Sequence, residues 1–507
     1  MPKASLEKTL KEMDIILTKA FNKDPLPGLA VGVIYEGELV YSKAFGFADV
    51  ERKKPVTMDT VFRIMSISKT FTGIGLMQLW EQGKFDLDDP VNPHLMFMKV
   101  QHDDPEAPPV TFRHLLTHTS GIGETRGLTD FTRPVVGLGA RPDTRILPMP
   151  EYYNGRLKPE IYPGEKWAYS NHAYAVLAQL IEDISGVPFP EYMRKNVFEP
   201  LGMTRTDYVL SARVRSELAQ GYQFKVDRFV PVDYLRLNTP GCGGIFSSVN
   251  EMAKYVAALM DGGKNQHGSV IKPGTLKMMM TSQLETDARV HDMGLAFILD
   301  KYGRYAIAEH GGGWPGFISD MKVAPGANTG VVVFTNSSSR APGIIARDIM
   351  HRLLGVANPD EKVPDLTILQ TPTMWPKLVG SYGPSPGLLT NARVWMNYGG
   401  ELEVYVKKRQ LRVRSLSGPV SKGVPIYRAD SKDPLFYKAK FINRVVPAVF
   451  HTNEHGEVDR LEIMDYSLYK RPIQQGIRFK LITAVGAAAG TLLFGFMGAF
   501  LRKKRAK

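Results

Sequence analysis

Strand-forming sequence stands near both ends of the first 360 residues, with helix-forming sequence between, and few architectures accommodate that order. Residues 29–36 (Leu-Ala-Val-Gly-Val-Ile-Tyr-Glu) and 39–45 (Leu-Val-Tyr-Ser-Lys-Ala-Phe) flank a short turn at Gly37-Glu38 and read as paired strands. Three further strand-like runs, 304–310, 317–323 and 330–336, come only after a long helical stretch. The last of them, Gly-Val-Val-Val-Phe-Thr-Asn, is apolar enough for the middle of a covered sheet. Between lie helical patterns at 61–81, 172–185 and 250–260, and another follows at 343–354. The order predicts one sheet assembled from sequence-distant pieces, in an α+β domain over 1–360. Leu6, Leu10, Met13, Ile16, Leu17 and Phe21 predict an amphipathic helix ahead of the first strand. Residues 126–160, rich in Pro, Gly and Arg, read as a long loop or insertion.

Beyond this domain, residues 361–376 run from Val363-Pro364 to Trp375-Pro376 and read as a linker. Residues 377–470 hold short alternating runs such as Leu402-Glu-Val-Tyr-Val and Leu411-Arg-Val-Arg, and no good helix. They predict a small β-barrel-like accessory domain.

Chemistry-bearing motifs are few. No Walker loop, complete GxGxxG or HExxH occurs, so nucleotide-binding and zinc-protease readings lose their usual warrant. The lone Cys242 excludes an intramolecular disulfide and cysteine-based metal clusters; it reads as a small buried thiol in a glycine turn, with a place near the active site the lesser alternative. His114 and His118 lie four apart without an acidic partner at ligand spacing, and no metal is expected. Gly383-Pro-Ser385-Pro-Gly387 matches GxSxG, but a nucleophile elbow needs a helix after the serine, and the flanking prolines indicate a turn. Ser66-Ile-Ser-Lys69 is stronger. Residues i and i+3 share a helix face, so the lysine reaches the serine hydroxyl, and a partly desolvated lysine can take its proton. Ser5-Leu-Glu-Lys8 matches the same pattern but lies on a charged terminal helix. Tyr169-Ser-Asn171 stands just ahead of the helix at 172–185, where a tyrosine near Lys69 can act as base and the Asn171 amide can orient the lysine or bind substrate. Tyr152-Tyr-Asn154 repeats that pattern inside the polar insertion. His310-Gly-Gly-Gly313 closes one strand, where glycines let substrate backbone lie along the edge and a backbone N–H can complete an oxyanion hole.

The motifs arrive in the order serine, tyrosine, glycine strand. With Phe62-Arg-Ile-Met-Ser-Ile-Ser-Lys-Thr-Phe-Thr, Thr111-Phe-Arg-His-Leu-Leu-Thr-His-Thr-Ser-Gly-Ile, Tyr162-Pro-Gly-Glu-Lys-Trp-Ala-Tyr-Ser-Asn, Pro200-Leu-Gly-Met and His310-Gly-Gly-Gly-Trp-Pro-Gly-Phe, the chain over about 5–355 resembles the serine β-lactamase/penicillin-binding-protein superfamily, in its class C-like esterase, D-aminopeptidase and transesterase branch. The resemblance implies a β-lactamase/transpeptidase-like fold in which Ser66 is the acylated nucleophile, Lys69 its activating partner and Tyr169 the general base. Asn171, His310, Gly311 and Gly312 would bind substrate, and the N–H groups of Ser66 and Gly313 would form the oxyanion hole. No cofactor is implied. His310 departs from the lactamases' Lys-Thr-Gly; a mostly neutral imidazole offers less charge to a β-lactam carboxylate and favours neutral esters, amides or peptide-like substrates. Hydrolysis and acyl transfer share this acyl-enzyme, and a non-catalytic membrane scaffold is the rival from outside enzymology.

The net charge of +13 suggests nucleic acid until it is divided along the chain. Residues 1–370 carry 41 Lys and Arg against 42 Asp and Glu, residues 371–470 carry 15 against 9, and residues 471–507 carry 8 against none. The excess therefore sits in the accessory section and around Leu481–Leu501, 21 residues without a charge and about 31 Å long as a helix. That run, followed by the basic tail 502–507, predicts a single-pass anchor in membrane lipid. With no secretory signal visible, the catalytic domain is expected on the cytosolic side. No nucleic-acid partner is expected, and a homo-oligomer stays open. Lys407-Lys408-Arg409, with Arg412 and Arg414, reads as a solvated face, with contact to anionic lipid the lesser alternative.

Overall fold

The computed structural model describes residues 3–481 and 483, apart from 285–286, 288, 291, 360–371, 442–443 and 464–465. The chain divides into two compact units, Met1–Pro359 with Gly387–Thr390, and Asp360–Pro386 with Asn391–Lys507.

The first unit is built on an eight-stranded antiparallel sheet. Its strands are β1 (Gly28–Tyr35), β2 (Glu38–Asp49), β3 (Lys54–Pro55), β4 (Asp292–Met293), β5 (Ile298–Tyr302), β6 (Tyr305–Trp314), β7 (Phe317–Ala324) and β8 (Thr329–Thr335), in the order β4-β5-β6-β7-β8-β1-β2-β3. The early hairpin joins the late strands through β1 and β8, with Val31 opposite Val333. Every residue of β8 is buried. Both sheet faces are covered, which is why this strand reads as an unbroken apolar run rather than an alternation. On one face Val31, Val33, Val331 and Val333 pack with Leu6, Met13 and Leu17 of α1 (Lys3–Lys23) and Ile345, Ile349 and Leu353 of α5 (Ala341–Leu354). On the other, Ala30, Val332 and Phe334 join the core of α2 (Ser68–Glu81), α3 (Asn171–Ser185) and α4 (Val249–Met260). The Ser170 and Ser248 side chains cap α3 and α4, and Gly186 at φ 70° ends α3.

The helix expected over 61–81 starts later. Phe62–Arg63 forms a short strand against Phe246–Ser247, Met65–Ile67 is a 3-10 turn, and α2 opens at Ser68. Residues 68–77 are all buried, so the apolar pattern carries no period with which to place the boundary.

The insertion is better anchored than its polar composition suggests. Tyr152 and Tyr153 are buried, the Tyr153 hydroxyl lies 2.7 Å from His172 Nδ1, and the Arg126 guanidinium pairs with Asp130 and sits 3.9 Å over the Tyr152 ring. Burial pushes the His172 imidazole down to about 4, so this tether holds a neutral ring.

In the second unit eight strands between Gly380 and Arg471 close into a barrel, with Ser381 opposite Arg471 at the closure. Tyr382, Val404, Val413, Tyr437, Phe450 and Leu461 form its core. One helix, Ala392–Tyr398, corrects the all-strand expectation. Ala392, Val394 and Tyr398 face inward and Gly399 at φ 70° stops it, but at seven residues it is too short to show a period. Ser385 lies beyond the strand Gly380–Pro384 and is followed by bends and a turn, with the next helix opening only at Ala392, so it is no nucleophile elbow. Lys407, Lys408 and Arg409 are exposed, while Arg414 pairs with Glu403. No helix among the described residues is long and apolar enough to cross a membrane. The 481–501 run, save Leu481 and Thr483, and the tail 502–507 lie outside the described residues, as does most of the 361–376 segment.

Candidate active site

Ser66 lies in the 3-10 turn immediately ahead of α2. The residue before it, Met65, is held at φ 50°, an uncommon conformation for a residue with a side chain and a local strain beside the hydroxyl. Lys69, fully buried in the first turn of α2, places Nζ 3.2 Å from Ser66 Oγ, 2.7 Å from Asn171 Oδ1 and 2.7 Å from the Cys242 carbonyl oxygen. Three acceptors match the three N–H donors of an ammonium, and no carboxylate pairs with it among the described residues. Nζ also lies 4.8 Å from the Tyr169 ring centre and 5.4 Å from that of Tyr174.

Each partner arrives on a different element. Asn171 is the first residue of α3, and Tyr169 precedes the Ser170 cap. The Cys242 carbonyl comes from the short helix Pro240–Gly243, where a Cβ on Gly241 would stand 2.5 Å from the Tyr174 carbonyl oxygen, so glycine alone permits the approach. The Cys242 thiol is buried 3.1 Å from Thr239 Oγ1; burial pushes it up, against the pull of the Lys69 charge. Composition gives no hint of this carbonyl, although the glycine density of Pro240-Gly-Cys-Gly-Gly is the trace it leaves.

β6 forms the facing wall. β5 pairs with β6 only as far as Glu309, and from His310 to Trp314 the strand partner of β6 among the described residues is β7. An extended substrate backbone can pair there. A Cβ on Gly312 would meet the Ile64 carbonyl oxygen at 2.2 Å and Ser319 Oγ at 2.4 Å, which fixes glycine where β6 passes the serine turn. Gly311 and Gly313 are exposed, and a Cβ on either would meet nothing closer than 3.3 Å. His310 is buried, with Nδ1 2.7 Å from the Gly311 carbonyl oxygen. A carbonyl only accepts, so Nδ1 carries the proton, and Nε2 is an acceptor when the ring is neutral. Its ring centre lies 6.3 Å from that of Tyr169.

Arg63 ties the two walls together. Nη1 donates to the Leu235 carbonyl at 2.7 Å, and the guanidinium lies 4.9 Å over Trp314, 5.3 Å over Tyr234 and 5.6 Å over Phe246. Burial pushes it down to about 10. The histidines of the 111–122 motif serve local structure: His114 Nδ1 accepts the Thr111 N–H in a capping box, and His118 Nδ1 accepts the Ser170 N–H. Among the described residues no group of three His, Cys, Asp or Glu side chains could hold a metal ion.

Comparison with known proteins follows the same division. The family profile described as Beta-lactamase matches residues 14–354. The chain is 28% identical over 302 residues to penicillin-binding protein 4* of Bacillus subtilis and 28% identical over 349 residues to the human serine beta-lactamase-like protein LACTB, mitochondrial. Each match takes in 56% of this chain and 62% of the relative, so it spans less than two thirds of the curated relatives' length. The octameric penicillin-binding protein homologue from Pyrococcus abyssi superposes with a TM-score of 0.59 at 27% identity, over 91% of this chain and 99% of that one.

Proposed function

The chain belongs to the beta-lactamase family, and on that premise we propose that it is a serine hydrolase or acyltransferase acting on ester or amide bonds through a Ser66 acyl-enzyme. The observation that carries the reading is the threefold coordination of the Lys69 Nζ, which aims one N–H at the Ser66 hydroxyl while Asn171 and the Cys242 carbonyl hold the other two.

In this mechanism Ser66 Oγ attacks the substrate carbonyl carbon as its proton passes to the deprotonated member of the Lys69–Tyr169 pair, the Tyr169 oxygen beside a Lys69 ammonium or the free Lys69 amine. The carbonyl electron pair moves to oxygen, between the N–H groups of Ser66 and Gly313. Collapse breaks the bond to the alcohol or amine, which leaves with the proton returned by the same pair. Water, or a second alcohol or amine, then attacks the acyl-serine; its proton restores Ser66, and a carboxylic acid or the new ester or amide departs. Asn171 and the β6 residues His310 to Gly313, beyond the β5 pairing, bind substrate. With the His310 Nδ1 proton committed to Gly311, the ring in its neutral form offers an acceptor where a lysine would offer a cation, which supports neutral substrates over β-lactam carboxylates.

A fluorophosphonate probe tests the reading directly. The folded parent should be labelled covalently and Ser66→Ala should not; a folded parent that resists labelling overturns the hydrolase reading.

The uncharged 481–501 segment supports a further part of this proposal, attachment to a membrane by that segment as a helix. The full chain should stay with membranes through alkaline carbonate washing, and a chain ending at Arg478 should be released. Release of both removes the anchor from the proposal.

A further inference from the structure

His118 stands outside the mechanism just described, yet it touches both sides of the residue assigned there as base. It follows the short helix Phe112–Leu116, is fully buried, and has φ 59°, in the left-handed region. Its carbonyl oxygen accepts the Ala168 N–H at 2.8 Å and its Nδ1 accepts the Ser170 N–H at 3.1 Å. The amides immediately before and after Tyr169 are thus bonded to one residue. The imidazole itself lies on the Tyr169 ring, with centres 4.3 Å apart and planes inclined by 30°. Tyr174, the other ring beneath the Lys69 ammonium, is 5.0 Å away on the same imidazole.

Two constraints follow. Because an N–H donates to Nδ1, that nitrogen carries no proton, and the proton of the neutral ring sits on Nε2. Replacing the ring by an apolar side chain would leave the Ser170 N–H buried without its acceptor. Ser170 is also the cap of α3, its Oγ accepting the Ala173 N–H at 3.2 Å and donating to the Gly123 carbonyl at 3.2 Å. A shift of Ser170 therefore moves Tyr169 on one side and Asn171, the Lys69 acceptor, on the other.

We propose that His118 is a positioning residue for Tyr169: its backbone carbonyl, Nδ1 and ring face together fix the tyrosine above the Lys69 ammonium. The inference rests on the reading of Tyr169 as base. A residue that acts through a base should alter the rate of acylation rather than substrate affinity, since a misplacement of about 1 Å costs on the order of 100-fold.

The test uses variants that tolerate a positive φ, so that backbone strain does not confound it. His118→Gly keeps the carbonyl and removes the ring and the acceptor; it should label with a fluorophosphonate about 10–100-fold more slowly than the parent. For a chromogenic ester the loss should fall on kcat and leave KM within about twofold. His118→Asn supplies Oδ1 near the place of Nδ1 and should recover most of the rate. In a Tyr169→Phe background, His118→Gly should cost little more, because its effect runs through the missing hydroxyl. A folded His118→Gly that labels at the parent's rate overturns the inference, and so does an undiminished loss in the Tyr169→Phe background. If His118→Gly gives no cooperative melt, His118→Asn decides: a folded His118→Asn more than about tenfold slower than the parent overturns the assignment. Normal labelling by Tyr169→Phe alone would instead remove the reading of Tyr169 as base.

Discussion

Lys69→Met should slow labelling of Ser66 by about 1000-fold or more while leaving the first unit folded, and the two halves of that expectation have separate causes. Methionine follows nearly the same path through the core as the lysine stem and removes only the donor at its tip. Kinetically, the variant loses the Lys69 donor bonded to Ser66 Oγ and the charge beneath the Tyr169 ring. Energetically, two terms oppose each other. The Asn171 Oδ1 and Cys242 carbonyl acceptors lose their donor, at about 1–3 kcal/mol each. Against that, a fully buried ammonium that meets no carboxylate among the described residues is itself costly to desolvate, and replacing such a charge by an apolar side chain is often neutral or stabilising. The melting temperature should therefore change by no more than a few degrees. Labelling within tenfold of the parent rate would show that the lysine is structural and that the serine is activated from elsewhere.

The same balance of local and distant causes explains what can be read from the chain in advance. The hairpin of β1 and β2 and the run of β8 are legible because strand composition and turns are local, and their union is legible because each would otherwise expose an apolar face. The Ser66–Lys69 spacing is legible for the same reason, and the structure carries it through a 3-10 turn into α2 rather than along one continuous helix. What stays hidden is contributed by the backbone. The Cys242 carbonyl and the His118 carbonyl belong to groups that every residue carries, so their roles depend on where the chain passes, and residue type is silent about that. Tyr152 and Tyr153 mislead in the opposite direction: their neighbours are polar, yet the rings are buried against His172 and Arg126, partners far off in sequence. Glycine is the one residue type that marks such crossings, at Gly241 against Tyr174 and at Gly312 against Ile64.

Tyr169→Phe should lower the rate of Ser66 acylation by about 100-fold or more, and it isolates one atom more cleanly than any other substitution in the site. Phenylalanine retains the ring that lies 4.8 Å from the Lys69 Nζ and 4.3 Å from the His118 ring, so the aromatic packing and the α3 cap should persist. Only the hydroxyl is lost. If that hydroxyl moves the serine proton, both acylation and breakdown of the acyl-enzyme slow, because the same group serves each half-reaction in opposite directions. A burst of product with a chromogenic ester would then shrink in rate and not in amplitude. If instead Lys69 alone moves the proton, Tyr169→Phe should turn over at nearly the parent rate while Lys69→Met stays inactive. The pair of variants separates the two assignments, since the three acceptors around Nζ remain in place in the first and are left without their donor in the second.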